Sequence, residues 1–369
     1  MANKWMTKMV SDFGIIASEL KKNALPPLPT RSPSLTWATD AGGFLAGKIY
    51  CLYGPQQAGK SLLAYMCIAD IQKRDPEAIG VWFDAEFSFS PELFIKMGGD
   101  PDRLIVRKTN DPLKIFDYIG GEMLELLQEG APIKAIVIDS IKSIRYPKEV
   151  NKKQSTDMLM GGTGAAYLPS ALKMVVPVVS EYNLFTFLIQ QVSIEIDQMK
   201  AMRNPYVLPD GQALKHAADM MLEITKLDTK NGVVEKGETL TGSAAQVGHK
   251  VRVKVKKNRL GRPARVAQFT YHYDNGIVDT ANEVFDLAKS LGIVFHPSNP
   301  DTGKENVQMW QFGNYDPIRG EQNMRNFVAS DRKVQSEIMT ACDEFKDESV
   351  QLDGNGFVND PEDAVDLAD

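Results

Sequence analysis

Residues Tyr53 to Tyr65 read YGPQQAGKSLLAY, and within them Gly54 to Ser61 carry the spacing G-x-x-x-x-G-K-S. Few folds are open to a chain with that octet. Its glycines let backbone N–H groups close on phosphate oxygens, its lysine reaches the β- and γ-phosphates, and its serine hydroxyl ligates Mg²⁺. The device works where a strand delivers the loop to a helix whose positive end meets the anion. Both flanks fit: an apolar run (Ile49, Tyr50, Cys51, Leu52) precedes the loop and a helix-like stretch, Ser61–Lys73, follows it. Gly54, Pro55, Gln56, Gln57, Ala58, Gly59, Lys60, Ser61 and Leu62 are therefore expected to bind ATP. Lys60 would also act on the transferred phosphate, and Ser61 would hold the metal. What the nucleotide serves is left open by the motif alone.

The surrounding pattern predicts an α/β fold around a mostly parallel sheet. Short β-branched runs at Lys48–Leu52, Ile79–Phe83, Leu104–Val106, Ala135–Ile138 and Thr186–Ile189 alternate with helical stretches such as Ser61–Lys73 and Pro112–Glu129, which is the signature of βαβ units. Runs at Met220–Ile224, Val251–Lys257 and Ala267–Tyr273 lack helices between them and read as antiparallel additions at a sheet edge. Residues 282–292 read as one more helix, and beyond 295 the pattern weakens. Residues 1–21 read as a short helix, tied on by the proline-rich KKNALPPLPTRSPS, which excludes helix. The expected division is an N-terminal arm (1–33), a nucleotide-binding core (34–295) and a C-terminal region with an acidic tail (296–369).

No run of 18 apolar residues suggests a membrane span, and no signal core opens the chain. The three cysteines are scattered, which fits a reducing, cytoplasmic setting. The net charge is −6, but residues 343–369 alone hold ten acids and one lysine, a balance of −9. Without them the chain is at +3. A mildly basic body thus carries an acidic tail, either a solvated end or one that competes with an anionic ligand.

Several segments carry candidate chemistry. KAIVIDS ends an apolar strand in Asp139, where a carboxylate lies beside the phosphate loop and holds magnesium. VWFDAEFSFSP places Glu86 beyond the second strand, better placed than Asp84 to polarise an attacking water. FTFLIQQ ends in two amides, and because buried amides without partners are costly, Gln190 or Gln191 should face a ligand. In HKVRVKVKKNRLGR, Lys250, Arg252, Lys254 and Lys256 fall on one face of a strand and Val251, Val253 and Val255 on the other. The cation row is either a polyanion surface or a lysine-defended edge. Lys257 and Arg259 break the alternation. Two long segments, 143–165 and 193–213, each follow a phosphate-side strand end and mix cations with apolar residues, a blend suited to DNA backbone and bases.

In this order the pieces resemble the bacterial RecA family, and most closely its phage, UvsX-type branch, over about residues 34–290. FDAEFSFSPELFIKMGGDPDRL is the most specific match; GGFLAGKIYCLYGPQQAGKS, VIDS, IQQ, DGQALKHAADMMLEI and VRVKVKKNR with FTYHYDNGI accompany it. The resemblance implies a RecA-like core, ATP and Mg²⁺ as cofactors, and DNA-dependent ATP hydrolysis coupled to strand exchange. It implies Glu86 as activator of the hydrolytic water, Gln191 as the γ-phosphate-sensing amide, and Asp139 with Ser61 on the metal. Lys257 and Arg259 would reach a neighbouring subunit's nucleotide. Segments 143–165 and 193–213 would be the first and second DNA loops, with Met160, Ile196, Arg203 and Lys215 on DNA. The implied partners are single- and double-stranded DNA, other copies of the chain in a helical filament or ring through the N-terminal arm, a single-strand-binding protein and a recombination mediator, with no membrane. The implied setting is the cytoplasm, that of the host cell for a phage protein. Departures are Leu93 where the family has a tyrosine near adenine, and Ala165 or Ala166 where it has a first-loop arginine. Nothing after 300 resembles the family's C-terminal DNA-gathering domain. The competing readings are a hexameric helicase of the same core, a DNA-independent ATPase switch and an inactive DNA-coating protein. The missing extra domain, the basic strand and the intact set Lys60, Ser61, Glu86 and Asp139 speak against them in turn.

Overall fold

The computed structural model describes residues 25–145, 164–194, 199, 206–209, 211–227, 233–238, 244–298 and 303–345. The chain enters the core through an isolated bridge between Leu28 and Phe44 and helix α1 (Pro33–Ala38). That helix starts where Ser32 accepts from the Leu35 amide at 3.0 Å and Pro33 takes the first turn, where no donor is missed. Strand β1 (Lys48–Gly54), helix α2 (Lys60–Arg74), β2 (Ile79–Asp84), α3 (Pro91–Lys96), β3 (Leu104–Lys108), α4 (Glu122–Gln128), β4 (Ile133–Asp139), α5 (Gly164–Glu181) and β5 (Phe185–Gln191) follow. The helix expected over Pro112–Glu129 is broken. A π-helical turn, Leu113–Asp117, leads through Tyr118–Gly120 into the Gly120–Gly121 pair before α4 begins. Paired glycines weaken helix propensity at the break.

Then come β6 (Ser193–Ile194), β7 (Tyr206–Val207), α6 (Gly211–Ala217), β8 (Met220–Lys226), β9 (Val233–Glu238), β10 (Ala244–Asn258), β11 (Val266–His272), β12 (Gly276–Val278) and α7 (Thr280–Ser290). The main sheet has the order β12–β11–β10–β8–β1–β5–β4–β2–β3, with β9 on β10. From β8 to β3 all pairs are parallel; from β10 outward they are antiparallel. This corrects the expectation for Met220–Ile224. Strand β8 is parallel to β1, because the two-turn helix α6 supplies the crossover from β5. The cation-bearing β10 lies between β8 and β11, so its lysines do not defend an edge.

Successive residues of β1 feed two cores, as the period of two requires. Tyr50 and Leu52 join α1, α2, β10 and β11 on one face; Ile49, Cys51 and Tyr53 join α5 and α6 on the other. Burial on both faces is why this strand reads as an unbroken apolar run.

Beyond 295 the described residues form regular elements too. β13 (Val294–Phe295), β14 (Met309–Phe312) and β15 (Ile318–Arg319) make a small antiparallel sheet, and α8 (Glu321–Ser330) and α9 (Arg332–Glu344) pack on α7. Val334, Ile338 and Cys342 extend the α1–α2 core, and the Trp37 indole donates to the Cys342 carbonyl at 2.9 Å. The strand pair β13–β14 spans the expected boundary at 295/296. The sequence pattern is weak here because the strands hold two to four residues, too few to show a period. No helix among the described residues is long and apolar enough to cross a membrane.

Candidate nucleotide site

The octet forms the turn between β1 and α2. Gly54 has φ 153°, and a Cβ there would lie 1.9 Å from the Ile224 carbonyl. Gly59 has φ 98°, and its Cβ would fall 2.3 Å from the Tyr271 ring. Both positions need glycine for two reasons at once: backbone conformation and the close approach of β8 and β11. Sequence spacing located the loop, but nothing in it showed that Tyr271, 212 residues on, forms its floor and donates to Gly59 O at 3.3 Å.

Lys60 is buried, and its ammonium donates to the carbonyls of Gly54, at 2.9 Å, and Pro55. Burial pulls its pKa down to about 8, against the opposing pull of Asp139 and Glu86. A triphosphate in the loop would supply negative charge and hold the ammonium protonated. Ser61 donates to Asp139 Oδ2 at 2.7 Å. Burial pushes Asp139 up to about 6, with the Ser61 bond opposing and Glu86 adding to the rise. A half-buried hydroxyl paired with a buried carboxylate, both hard oxygens, at the foot of a phosphate loop fits Mg²⁺. Among the described residues no cluster of three His, Cys, Asp or Glu is placed to hold a metal, so a cation here would take its remaining ligands from phosphate and water.

The two carboxylates at the β2 exit are separated by their hydrogen bonds. Asp84 is fully buried and accepts from the amides of Ser88 at 3.0 Å and Phe89 at 3.1 Å. Its lone pairs hold the turn. Glu86 is half-buried, and its Oε1 accepts from the Ser140 hydroxyl and from the Gln191 amide nitrogen. Gln191 Oε1 in turn accepts from Gln56 of the phosphate loop at 3.1 Å. One amide therefore joins the phosphate loop, the candidate base and the start of the 193–213 segment. The neighbouring Gln190 is fully buried and donates to Pro209 O at 2.9 Å, near the far end of that segment. Gln191 thus stands between the phosphate loop and Glu86, whereas Gln190 is held by the chain itself and its Oε1 is without a hydrogen bond. Ser140 was not among the expected residues. It follows the metal-side aspartate directly, and a hydroxyl there was a readable donor.

Lys257 and Arg259 stand elsewhere. Lys257 is paired with Met221 and Asn258 with Met220, at the start of β8, and the Arg259 amide donates to Asp219 O at 2.9 Å. That is the N-terminal edge of the sheet, while the phosphate loop, Glu86 and Gln191 occupy the C-terminal edge. Through Met221 and Met220 of β8, Lys257 is level with Cys51 and Asn258 with Tyr50, three and four residues before Gly54, or about 10–13 Å along the strand at ~3.3 Å per residue. The Lys257 ammonium donates to the carbonyls of Lys215 and of Ala218, the latter at 2.6 Å, and burial lowers its pKa. Lys215 is exposed on α6. Leu93, on α3, packs at the margin of the α1–α2 core. Met160, Ile196 and Arg203 lie outside the described residues, as do most of the 143–165 and 193–213 segments, residues 1–24 and the tail from 346.

A parallel α/β sheet with a glycine loop, a serine–aspartate pair and a tethered glutamate at its C-terminal edge defines a P-loop nucleotide-binding protein. Residues 6–278 match the family described as the RecA N-terminal domain. The chain is similar to Protein RecA of Aquifex pyrophilus, with 32% identity over 268 residues, 72% of this chain and 70% of the relative. It is similar to Protein RecA of Aquifex aeolicus, with 31% over 275 residues, 74% and 73%. With Protein RecA of Heliobacterium modesticaldum it shares 28% over 312 residues, 84% and 81%. The chain belongs to the RecA family.

Proposed function

We propose that the protein is an ATP-dependent recombinase that coats single-stranded DNA as a helical filament and exchanges strands with a homologous duplex. The observation that carries this reading is the Gln56–Gln191–Glu86 chain of hydrogen bonds. It ties the segment implied to grip DNA to the group implied to activate water, so occupancy of one side can adjust the other. ATP would lie in the Gly54–Leu62 loop, with Lys60 on its phosphates and Ser61 and Asp139 holding the cation. Mg²⁺, when bound, neutralises charge on the phosphates. Glu86 Oε1 is committed to its two donors, and Oε2 is left to orient and deprotonate water. Lys257 and Arg259, on the far edge of the sheet, would serve the nucleotide of the next copy. Head-to-tail repetition of that contact gives a filament or ring. The row Lys250, Arg252, Lys254 and Lys256, opposite the buried Val251, Val253 and Val255, favours a polyanion, and Met160, Ile196, Arg203 and Lys215 are the proposed DNA contacts. The finer assignment is to the UvsX-type phage branch, acting in the host cytoplasm with a single-strand-binding protein and a mediator. The test is ATP turnover with and without single-stranded DNA, together with electron microscopy of the protein on that DNA with a non-hydrolysable ATP analogue. Helical filaments and DNA-stimulated turnover are expected. Turnover indifferent to DNA, with no filament, would remove the reading.

A further inference from the structure

Phe87 follows Glu86 and is 57% exposed. Its φ is 58°, the left-handed region that a non-glycine residue enters at a cost of roughly 1–2 kcal/mol. The backbone on each side of it is pinned. Ala85 and Glu86 donate their amides to Asp139 O at 2.7 and 3.2 Å. Ser88 and Phe89 donate to the buried Asp84 carboxylate. Phe89 turns inward, its ring edge-on to Tyr65 at 5.4 Å and Trp82 at 5.5 Å. Phe87 makes no ring contact among the described residues. Glycine would fit this turn at lower cost, and a polar residue would suit water better. A left-handed backbone that holds a phenyl ring outward points to a use outside the chain.

The polarity of the sheet indicates the partner. Phe87 stands on the C-terminal edge, beside the phosphate loop; Lys257 and Arg259 stand on the opposite edge. One chain cannot bring both edges to one nucleotide, but a second copy stacked head-to-tail can. We propose that Phe87 is an interface anchor covered by the cation-bearing edge of the next copy of this chain. Seating the ring also fixes the Glu86–Ser88 turn, so assembly positions the glutamate. This inference rests on the head-to-tail reading above.

The test uses the full chain and its Phe87→Ala and Phe87→Gly variants. Self-assembly with a non-hydrolysable ATP analogue is followed by sedimentation against protein concentration. Nucleotide binding to dilute protein and thermal melting are measured alongside. Both variants should need about ten- to a hundredfold more protein to assemble, the range for losing a buried aromatic anchor. Nucleotide affinity of dilute protein should stay within about twofold. Phe87→Gly should melt above the parent, because it relieves the backbone. A residue that merely packed within its own chain would lower both melting and assembly, and that result overturns the proposal. So does assembly at an unchanged concentration. Mixing Lys60→Ala with Lys257→Ala protein separates the two ideas. If the mixture recovers ATP turnover while Phe87 variants assemble normally, the shared site stands and only the anchor falls. If the mixture stays inactive although the variants co-assemble, the head-to-tail site itself fails, and the anchor with it.

Discussion

Asp84 and Glu86 leave the same strand two residues apart, yet hydrogen bonding assigns them different work. Asp84 accepts two backbone amides and is sealed from solvent; Glu86 keeps one oxygen uncommitted. The preference for Glu86 was readable from its greater distance along the chain from the strand. The reason for it was not, because it lies in amides of a turn whose path the sequence does not show. The D-x-x-x-S-F spacing is at most a hint of an Asx-type turn. Glu86→Gln retains the acceptor for Ser140 and Gln191 but cannot take a proton. It should bind ATP and DNA as the parent does and slow turnover by roughly 10²–10⁴, the usual contribution of a general base. A DNA-stimulated ATPase assay reads this directly, and near-parental turnover would end the role of Glu86 as base.

Among the elements, α1 and α7 are held together by a carboxylate that the sequence did not single out. Glu283, on α7, is buried; its Oε1 accepts from the Ser34 amide at 2.6 Å and from the Ser32 hydroxyl, while Oε2 is without a hydrogen bond. Burial raises its pKa to about 7, with the serine bonds opposing. The native state therefore binds a proton that the unfolded chain releases near pH 4.5. Its contribution to stability is present below that pH and is lost as pH rises through about 7. Glu283→Gln removes the titration but can keep an acceptor on the serines. The melting temperature of the variant relative to the parent should climb between pH 5 and pH 8, by a gap on the order of 3 kcal/mol from a shift of this size. A difference that stays flat across that window would show that Glu283 is ionised throughout. The same scale shows where sequence reading stops. The parallel core was legible in alternating apolar runs, because strands buried on both faces announce themselves. The partner of β8 was not, since a seven-residue helix gives a weak period. The C-terminal sheet was invisible because its strands span two periods of alternation at most.

For the whole molecule, polarity and charge decide how copies and ligands meet. Phosphate-side groups occupy one edge of the sheet and Lys257 and Arg259 lie toward the other, an asymmetry that the proposed head-to-tail repetition would turn into function. Charge is divided along the chain instead. α9 runs to Glu344, and the Cys342 carbonyl accepts from Trp37, so a truncation that spares the fold begins after Phe345. Residues 346–369 hold eight acids and one lysine, a balance of −7. Their removal takes the chain from −6 to +1. Exposed charges interact over about 8 Å at physiological salt, but covalent attachment keeps the tail's local concentration high. On the proposed function, the tail should therefore compete with DNA for the cationic surface, and duplex DNA, if it takes the weaker site, should suffer most. Deleting residues 346–369 should tighten duplex binding, more at low salt than at high, and leave basal ATP turnover unchanged. Binding isotherms of the truncated and full chains at two salt concentrations measure the effect. Coincident curves at both would reduce the tail to a solubilising end.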